Sequence, residues 1–426
     1  MRDLIGPEMR ASQYLANTAE EVFQLFGYEP LDSPVVELWE TLAAKGGEDV
    51  EAETFKFKDK GDRDVGLRFD LTVPLARIVA TNPQLPKPFK RYAIGKAWRY
   101  DRPQAGRYRE FTQADADIIG ASSPAADAEV VLVALEFLRR VFGSGYAVRI
   151  NNRKVLRGLV EKAGVKDELA HECFRAIDKL DKIGQDGVTE ELKDRGVSSD
   201  SSQFLLDAIM LRGDSSVLSE FRSLLAGSET GTQGVDELQF MADVFSECGV
   251  DRSILFDMSL ARGLDYYTGP VFEGKYAGEP DVGSILGGGR YDTLIEKLGS
   301  QPMPATGMSL GISRMIDLVI AQKRAELMTS ELDAYVAPIK QPMMKYAMRI
   351  RSDLVRAGFT AEVDLLERPL KKLLEVADSK KACSVIIVGP RDLENDEVSV
   401  RDMTTKETQL VKIADLKKVL KAMRRK

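Results

Sequence analysis

The 426-residue chain has one histidine, three cysteines and no apolar run close to the roughly 20 residues of a membrane-spanning helix. Cys173, Cys248 and Cys383 lie far apart and form no CxxC pair, which argues against structural zinc and favours a reduced, cytoplasmic setting. The single histidine, His171, lies in a charged helical stretch, so we predict a surface residue rather than a catalytic one. The first residues, MRDLIGPEMR, contain no apolar segment typical of a secretory signal. We therefore expect a cytoplasmic protein without a membrane segment.

Composition and charge indicate a globular protein with an uneven charge distribution. Hydrophobic residues make up 44% and charged residues 30%, and the length predicts two or three domains. The net charge is −7, yet residues 331–426 carry 20 Lys and Arg against 15 Asp and Glu, while the remainder carries 40 against 52. This basic tail on an acidic body indicates either chance surface variation or a segment that contacts an anionic polymer.

Strand and helix signals divide the chain into three parts. Residues 1–152 and 251–325 carry clustered strand signals without βαβ alternation, which predicts antiparallel pairing. Residues 153–250 have helical periodicity and many charges, with GSETGTQG as a loop, and predict a helical insertion. Residues 331–426 alternate strands and helices and predict a small α/β domain.

The segment WRYDRPQAGRYREFTQADADI, residues 98–118, is rich in groups that bind ligands. Because a strand alternates its faces with period 2, one face should hold Arg109, Phe111, Gln113, Asp115 and Asp117. Arg99 faces the same side if residues 98–100 pair with this strand. Guanidinium groups fit phosphate oxygens, an aromatic ring stacks on a base, and amide and carboxylate oxygens accept from ammonium or ring N–H groups. The alternative is an exposed, charged hairpin.

Four further segments supply candidate ligand-binding groups, and each has a plain structural alternative. RFDLTVP places two polar residues either on one face of a strand or at a hairpin end. ARGLDYYTGPVFEG supplies a cation and two adjacent tyrosines, and the alternative role of these tyrosines is packing in a strand. LGGGRYD permits close backbone approach to a ligand or forms a turn, but matches neither a P-loop nor a GxGxxG turn. GMSLGISRM places an arginine at the start of a helix, facing either a phosphate or solvent. The residues are Asp70, Thr72, Arg262, Tyr266, Tyr267, Tyr291 and Arg314.

Together these segments resemble the class II aminoacyl-tRNA synthetases. RYDRPQAGRYREFTQ resembles their motif 2, and GMSLGISR resembles a loose motif 3 in which Ser313 replaces the usual acidic residue before the arginine. ARGLDYYTGPVFE and GGGRYD resemble the two histidine-specific signatures of the histidyl-tRNA synthetase family, and residues 7–34 can serve as motif 1. The resemblance spans about residues 1–320, with a tail similar to the family's anticodon-binding domain. RFDLTVP and Asp117 resemble the archaeal and eukaryotic branch.

The resemblance implies an α+β fold and a reaction in two steps. The fold would have an antiparallel-sheet catalytic domain at 1–152 and 251–325, a helical insertion at 153–250, and an α/β anticodon-binding domain at 331–426. The implied reaction activates L-histidine with ATP and Mg²⁺ to histidyl-adenylate and transfers the histidyl group to the 3′-terminal adenosine of histidine tRNA, in a homodimer. The alternative is a non-catalytic regulatory paralogue.

The resemblance also implies roles for individual residues. Arg99 and Arg262 would be catalytic at the α-phosphate. The ATP-binding residues would be Arg99, Arg107, Phe111 and Arg314. The histidine-binding residues would be Asp70, Thr72, Gln113, Asp117, Arg262, Tyr266, Tyr267 and Tyr291. Gln104 would lie near the tRNA acceptor stem, no metal ligand is assigned to the protein, and Asp115 receives no role.

Overall fold

The computed structural model shows a chain made of two compact units, Met1–Leu327 and Met328–Lys426. The structure describes residues 1–44, 46, 48–100, 108–261, 266–278, 283–299, 301–322, 332–390 and 394–423. Within these ranges, no helix is both long enough and apolar enough to span a bilayer.

The first unit combines one large sheet with many helices. Its helices are α1 (Pro7–Leu25), α2 (Trp39–Ala43), α3 (Glu48–Glu53), α4 (Thr72–Thr81), α5 (Pro124–Phe142), α6 (Arg153–Lys162), α7 (Ala170–Asp178), α8 (Leu180–Asp194), α9 (Ser199–Ile209), α10 (Val217–Leu224), α11 (Glu229–Glu247) and α12 (Ile312–Ala321). Its strands are β1 (Glu29–Pro30), β2 (Val36–Leu38), β3 (Lys56–Lys58), β4 (Asp64–Leu67), β5 (Phe89–Trp98), β6 (Glu110–Ile119), β7 (Tyr146–Asn152), β8 (Arg212–Gly213), β9 (Ile254–Asp257), β10 (Pro270–Tyr276), β11 (Ser284–Arg290) and β12 (Ala305–Leu310).

The large sheet has the strand order β1-β5-β6-β12-β11-β10-β7-β9-β8. Strands β5, β6, β12, β11, β10 and β7 pair antiparallel in succession. Among the described strands of this sheet, parallel pairs occur only between β1 and β5 and between β7 and β9. A smaller described sheet has the order β2-β4-β3. The predicted α+β class with an antiparallel core is confirmed.

The two faces of the large sheet have different surroundings. Helices α1, α5 and α12 pack together, and α5 and α12 lie against β6. The side chains of β6 that share this face are the buried Ala114, Ala116 and Ile118, whose small or branched shapes allow close packing. On the opposite face, Ile119 packs with Leu75 of α4, and the rest of that face borders a cavity.

The helical character predicted for residues 153–250 agrees with the structure, and two local predictions are wrong. Residues 153–250 are mostly helical, although β8 joins the large sheet. GSETGTQG is not a loop: Ser228 caps α11, and most of the segment forms its first turns. RFDLTVP is not a strand, because β4 ends at Leu67 and α4 begins at Thr72. Residues 266 and 267 precede β10.

The second unit is a small α/β domain, as its alternating pattern predicted. Its strands are β13 (Ala334–Pro338), β14 (Ala361–Val363), β15 (Ser384–Val388), β16 (Glu397–Asp402) and β17 (Thr408–Lys412), in the order β14-β13-β15-β16-β17. Its described helices are α13 (Met344–Arg356), α14 (Leu370–Ser379) and α15 (Leu416–Met423). Apolar clusters lie on both sides of β13 and β15, because alternate residues of a strand point to opposite faces.

Candidate active site

A cavity of about 460 Å³ opens on the face of the large sheet opposite α5. It lies within the volume range of small-molecule sites. Most of the residues implied by the sequence converge here, and they come from separate parts of the first unit. The residues implied for ligand binding that line it are Asp70, Thr72, Arg99, Phe111, Gln113, Asp117, Tyr266, Tyr267, Tyr291 and Arg314.

One end of the cavity carries arginines beside an aromatic ring. The Nε atom of Arg99 donates to the Phe69 carbonyl oxygen at 3.1 Å, and the Arg99 guanidinium lies 5.1 Å from the centre of the Phe111 ring. Arg314, in the first turn of α12, donates from Nη1 to the Ser284 carbonyl oxygen at 2.6 Å. These contacts hold two cations and a stacking surface in fixed places, an arrangement suited to a nucleotide.

Ser313, which replaces the usual acidic residue of motif 3, has a structural partner. Its hydroxyl oxygen accepts a hydrogen bond from the Thr112 backbone N–H at 2.8 Å. The bond ties the start of α12 to β6. Arg314 on the helix and Phe111 on the strand are therefore held on elements that are joined directly, despite the departure from the motif.

Asp117 lies at the other end of the cavity and is almost wholly buried. Arg91, on the paired position of β5, forms an ion pair with Asp117 Oδ2 at 2.8 Å, and the Tyr291 hydroxyl donates to Oδ1. Burial raises the pKa of Asp117, whereas the Arg91 charge and the hydrogen bond from Tyr291 lower it. A Cβ atom at Gly307 would lie 1.9 Å from Asp117 Oδ1, so this position must be glycine for the carboxylate to sit there.

Asp70 reaches the cavity from the start of a helix rather than from a strand. Its Oδ1 atom accepts from the backbone N–H groups of Thr72 and Val73 at 3.1 and 2.9 Å. These N–H groups have no partner within the helix, so an aspartate here satisfies them and compensates the positive helix end. The predicted shared strand face of Asp70 and Thr72 is wrong, yet both residues line the cavity.

Gln113 and Asp115 share the cavity face of β6 with Ser309 of β12, which is paired with Asp115. Gln113 Nε2 donates to the Ser309 hydroxyl oxygen, and that hydroxyl bonds to the Asp115 carboxylate. Asp115 is 1% exposed. Burial raises the pKa of Asp115 to about 7; the Arg91 charge opposes the shift and the Asp117 charge adds to it.

The tyrosines form one wall of the cavity. The rings of Tyr266 and Tyr267 have centres 4.3 Å apart, and the Tyr266 and Tyr291 rings lie 6.1 Å apart. Burial and the nearby Asp117 charge raise the pKa of Tyr291 well above its usual value, so its hydroxyl stays a donor. Residues 287 and 288 of LGGGRYD also line the cavity, from within strand β11 rather than from a turn.

Some positions considered in the sequence are not among the described residues that line the cavity. The Arg109 guanidinium lies 4.3 Å from the centre of the Tyr100 ring, and Arg109 does not line the cavity as its place in the alternation predicted. Arg107 and Arg262, together with Gln104, lie outside the described residues. His171 lies on α7, away from the cavity, with 42% of its side chain exposed.

Two groups that shape the acidic end, Arg91 and Ser309, were not predicted from the sequence. Arg91 is fully buried and donates to the Leu71 carbonyl oxygen at 3.1 Å as well as pairing with Asp117. Ser309 lay unremarked within GMSLGISRM. Arg91 lies at an inward position of the apolar strand RYAIGKAW. Because a buried charge needs a partner of opposite sign, this position could have indicated a buried ion pair.

The two ends of the cavity suit two different substrates. The arginine end can hold phosphate groups and a base, and the carboxylate end can hold an ammonium group or a protonated ring. Among the described residues, no three His, Cys, Asp or Glu side chains converge in the manner of a metal site.

Comparisons with known proteins agree with this arrangement. A family model described as histidyl-tRNA synthetase matches residues 1–315, and one described as an anticodon binding domain matches residues 333–423. A histidine–tRNA ligase of Korarchaeum cryptofilum is 39% identical over 97% of this chain and 96% of its own length, and one of Aeropyrum pernix is 42% identical over 85% and 83%. The crystal structure of histidyl-tRNA synthetase from Nostoc sp. PCC 7120 superposes with a TM-score of 0.85 at 29% identity, covering 100% of this chain and 98% of that one.

Proposed function

The chain belongs to the histidyl-tRNA synthetase family, and we propose that it joins L-histidine to ATP as histidyl-adenylate and then transfers the histidyl group to the 3′-terminal adenosine of histidine tRNA. The observation that carries the proposal is a single cavity with arginines and a ring at one end and buried carboxylates at the other. Such a cavity brings an anionic nucleotide and a cationic amino acid together.

The arginine end would bind ATP, which enters as its magnesium complex. Arg99 holds the α-phosphate and Phe111 stacks on adenine. Arg314 covers the other adenine face near the γ-phosphate, and Arg107 contacts the β- or γ-phosphate. Magnesium would arrive bound to ATP and would offset the negative charge of its phosphates, and no protein ligand is assigned to it.

Catalysis would be electrostatic. A carboxylate oxygen of histidine attacks the α-phosphorus, the bond to pyrophosphate breaks, and negative charge builds on the α-phosphate oxygens. Arg99 and Arg262 stabilise that charge from opposite sides, and the fixed hydrogen bond from Arg99 to the Phe69 carbonyl lowers the cost of reorganisation. The side chains bind and orient, and none becomes covalently attached.

The carboxylate end would select histidine. Asp70, Thr72 and Gln113 bind the α-ammonium group, while Asp117 and Tyr267 address the two imidazole nitrogens. Both Asp117 oxygens already have protein partners, but each carboxylate oxygen keeps a further lone pair for an imidazole N–H. A site that pairs both ring nitrogens rejects analogues that lack either one. Tyr266 and Tyr291 complete the wall.

Three further features belong to the same proposal. The second unit binds the anticodon, and the helical residues 153–250 contact tRNA. The chain acts as a cytoplasmic homodimer, supported by an exposed apolar surface around the small sheet at Val35, Val36, Leu38 and Phe57, each 39 to 46% exposed. Light scattering should give twice the 47.2 kDa chain mass, and a monomer mass would contradict the dimer.

The test of the function is pyrophosphate exchange into ATP, measured with each of the twenty amino acids and magnesium. We expect exchange with histidine alone, and its absence with histidine would overturn the proposal. Arg262→Ala should reduce exchange by orders of magnitude with an unchanged circular dichroism spectrum. The matched control is Arg157→Ala, an exposed arginine on α6 paired with Asp167, which should exchange normally.

A charging assay separates the enzyme from a regulatory paralogue. A paralogue would be stabilised against heat by a non-hydrolysable histidyl-adenylate analogue but would not charge histidine tRNA. We expect both stabilisation and charging. Changes on the exposed faces of residues 153–250 should reduce charging more than pyrophosphate exchange, because only charging requires tRNA.

A further inference from the structure

The hydroxyl group of Ser309 lies between two side chains on the cavity face of β6. Ser309 is the strand partner of Asp115, and Gln113 lies two residues before Asp115 on the same face. Gln113 Nε2 and the Asp115 carboxylate both bond to the Ser309 hydroxyl. The three side chains form a short chain of hydrogen bonds that ends at the cavity.

The chemistry of the three groups decides which way each bond runs. A serine hydroxyl has one proton, and the Asp115 carboxylate, which is ionised above its pKa of about 7, can then only accept. The Ser309 proton therefore points at Asp115, and Ser309 can only accept from Gln113. This fixes the amide of Gln113 with its NH₂ group toward Ser309 and its carbonyl oxygen turned away, an assignment made by the hydrogen-bond network itself.

The carbonyl oxygen of Gln113 is left available for a ligand. Gln113 lines the cavity, and its Oε1 atom is buried without a hydrogen-bond partner among the described residues. The reversed amide would present two N–H donors instead. Because an ammonium group has donors only, it binds the first orientation and is repelled by the second.

We propose that Asp115 and Ser309 are positioning residues that hold the Gln113 amide with its carbonyl oxygen toward the α-ammonium group of the substrate. The inference rests on the proposed function, and it gives Asp115 the role that the sequence left open. Neither residue needs to touch the amino acid. Their effect passes through the orientation of one amide.

The burial of Asp115 supports a role of this kind. Its carboxylate is 1% exposed, it is opposite Ala93 on β5, and the ion pair of Arg91 is made with Asp117 instead. A buried carboxylate without its own ion pair is costly. Among the described side chains its hydrogen-bond partner is the Ser309 hydroxyl, which is the contact that the proposal requires.

The test is a set of variants at the two positions, measured by histidine-dependent pyrophosphate exchange with the full chain at pH 8, where the Asp115 carboxylate is mostly ionised. In Asp115→Ala the Ser309 proton is released to the Gln113 carbonyl, so the amide reverses and the KM for histidine rises roughly ten- to hundredfold. Ser309→Ala only frees the amide, and we expect a rise of roughly three- to tenfold. The KM for ATP should change less than about twofold in both, because a single neutral contact remote from the nucleotide is altered.

The double variant gives the sharpest result. Without Ser309, no hydroxyl can donate to the Gln113 carbonyl and stabilise the reversed amide. The double variant Asp115→Ala/Ser309→Ala should therefore have the same KM for histidine as Ser309→Ala alone. Asp115→Asn keeps an acceptor for the Ser309 proton and should stay close to the parent. The matched control is Ser384→Ala, a buried strand serine of the second unit that donates to the Asp333 carbonyl.

The outcomes separate this inference from the function on which it rests. A parent chain without histidine-dependent exchange refutes the function. Two outcomes with an active parent refute the positioning role of Asp115 and Ser309. In the first, the increases in the KM for histidine of the two single variants multiply in the double variant. In the second, Asp115→Asn raises this KM as much as Asp115→Ala does, which assigns the Asp115 charge a direct effect on the substrate. Unchanged KM values for histidine in all variants also refute it.

Discussion

Replacement of Asp115 by asparagine should make the protein more stable at neutral and alkaline pH. The carboxylate is buried, and its pKa is raised from 3.8 to about 7, first by burial and then, against the opposing charge of Arg91, by the charge of Asp117. Asparagine has almost the same shape and keeps an oxygen for Ser309. It removes the buried charge without opening a cavity, so loss of packing should be small.

The magnitude follows from the difference in pKa between the unfolded and the folded chain. Between pH 3.8 and about 7 the folded state binds more protons at Asp115 than the unfolded state does. Stability is therefore lost as the pH rises through this window, and the loss is complete above the folded pKa. About three pKa units at 1.36 kcal/mol each amount to about 4 kcal/mol.

The assay is thermal unfolding of parent and variant without ligand at several pH values. The stability of Asp115→Asn relative to the parent should rise by about 4 kcal/mol from pH 4 to pH 8, or several degrees in the unfolding midpoint. Asp186→Asn, at an exposed position on α8, is the control and should show no such trend. A constant difference across the range, or one that falls with pH, would refute the reasoning about Asp115.

Three further changes test the site and a buried ion pair elsewhere in the first unit. Gly307→Ala places a methyl group 1.9 Å from Asp117 Oδ1, so histidine-dependent exchange should be lost while calorimetry still detects ATP binding; normal exchange would contradict this. Arg290→Met leaves Asp127 buried without its partner at 2.7 Å and should lower stability by about 3–5 kcal/mol in thermal unfolding, and an unchanged midpoint would contradict the estimate. Phe111→Ala should raise the KM for ATP roughly tenfold and leave that for histidine unchanged, since stacking on a base contributes about 1–3 kcal/mol; equal changes in both would argue against stacking.

Period-2 alternation predicted much of the site because strand geometry is local. Phe111, Gln113, Asp115 and Asp117 line one cavity as their spacing indicated. The same alternation was wrong for Arg109, which precedes β6 and lies over a tyrosine ring. The pattern holds only within the strand itself.

Contacts between side chains that are distant in the sequence could not be predicted from local patterns. Gln113 meets Ser309 across 196 positions of sequence, and this pairing depends on the register of β6 against β12. Neither strand encodes that register alone. The burial of Asp115 follows from the same assembly of the sheet, which is why the sequence offered no role for it.

Two wrong local predictions have physical causes. Asp70 looked like a strand residue because RFDLTVP alternates, but its carboxylate binds the free N–H groups at the start of α4, and capping decided the structure. GSETGTQG looked like a loop because of its glycines. Gly231 and Gly234 serve close helix packing instead: a Cβ atom at Gly158 of α6 would lie 2.5 Å from the Gly231 Cα atom of α11.

Strand β8 makes the helical residues 153–250 hard to remove cleanly. It pairs with β9 at the end of the large sheet, and the Met258 N–H donates to the Leu211 carbonyl oxygen beside it at 3.1 Å. Excision of the whole segment would leave β9 as an open sheet edge whose peptide groups invite association with another chain. A truncated protein could therefore aggregate for a reason unrelated to tRNA, and a shortened form of this enzyme should keep residues 211–213 as a cover for that edge.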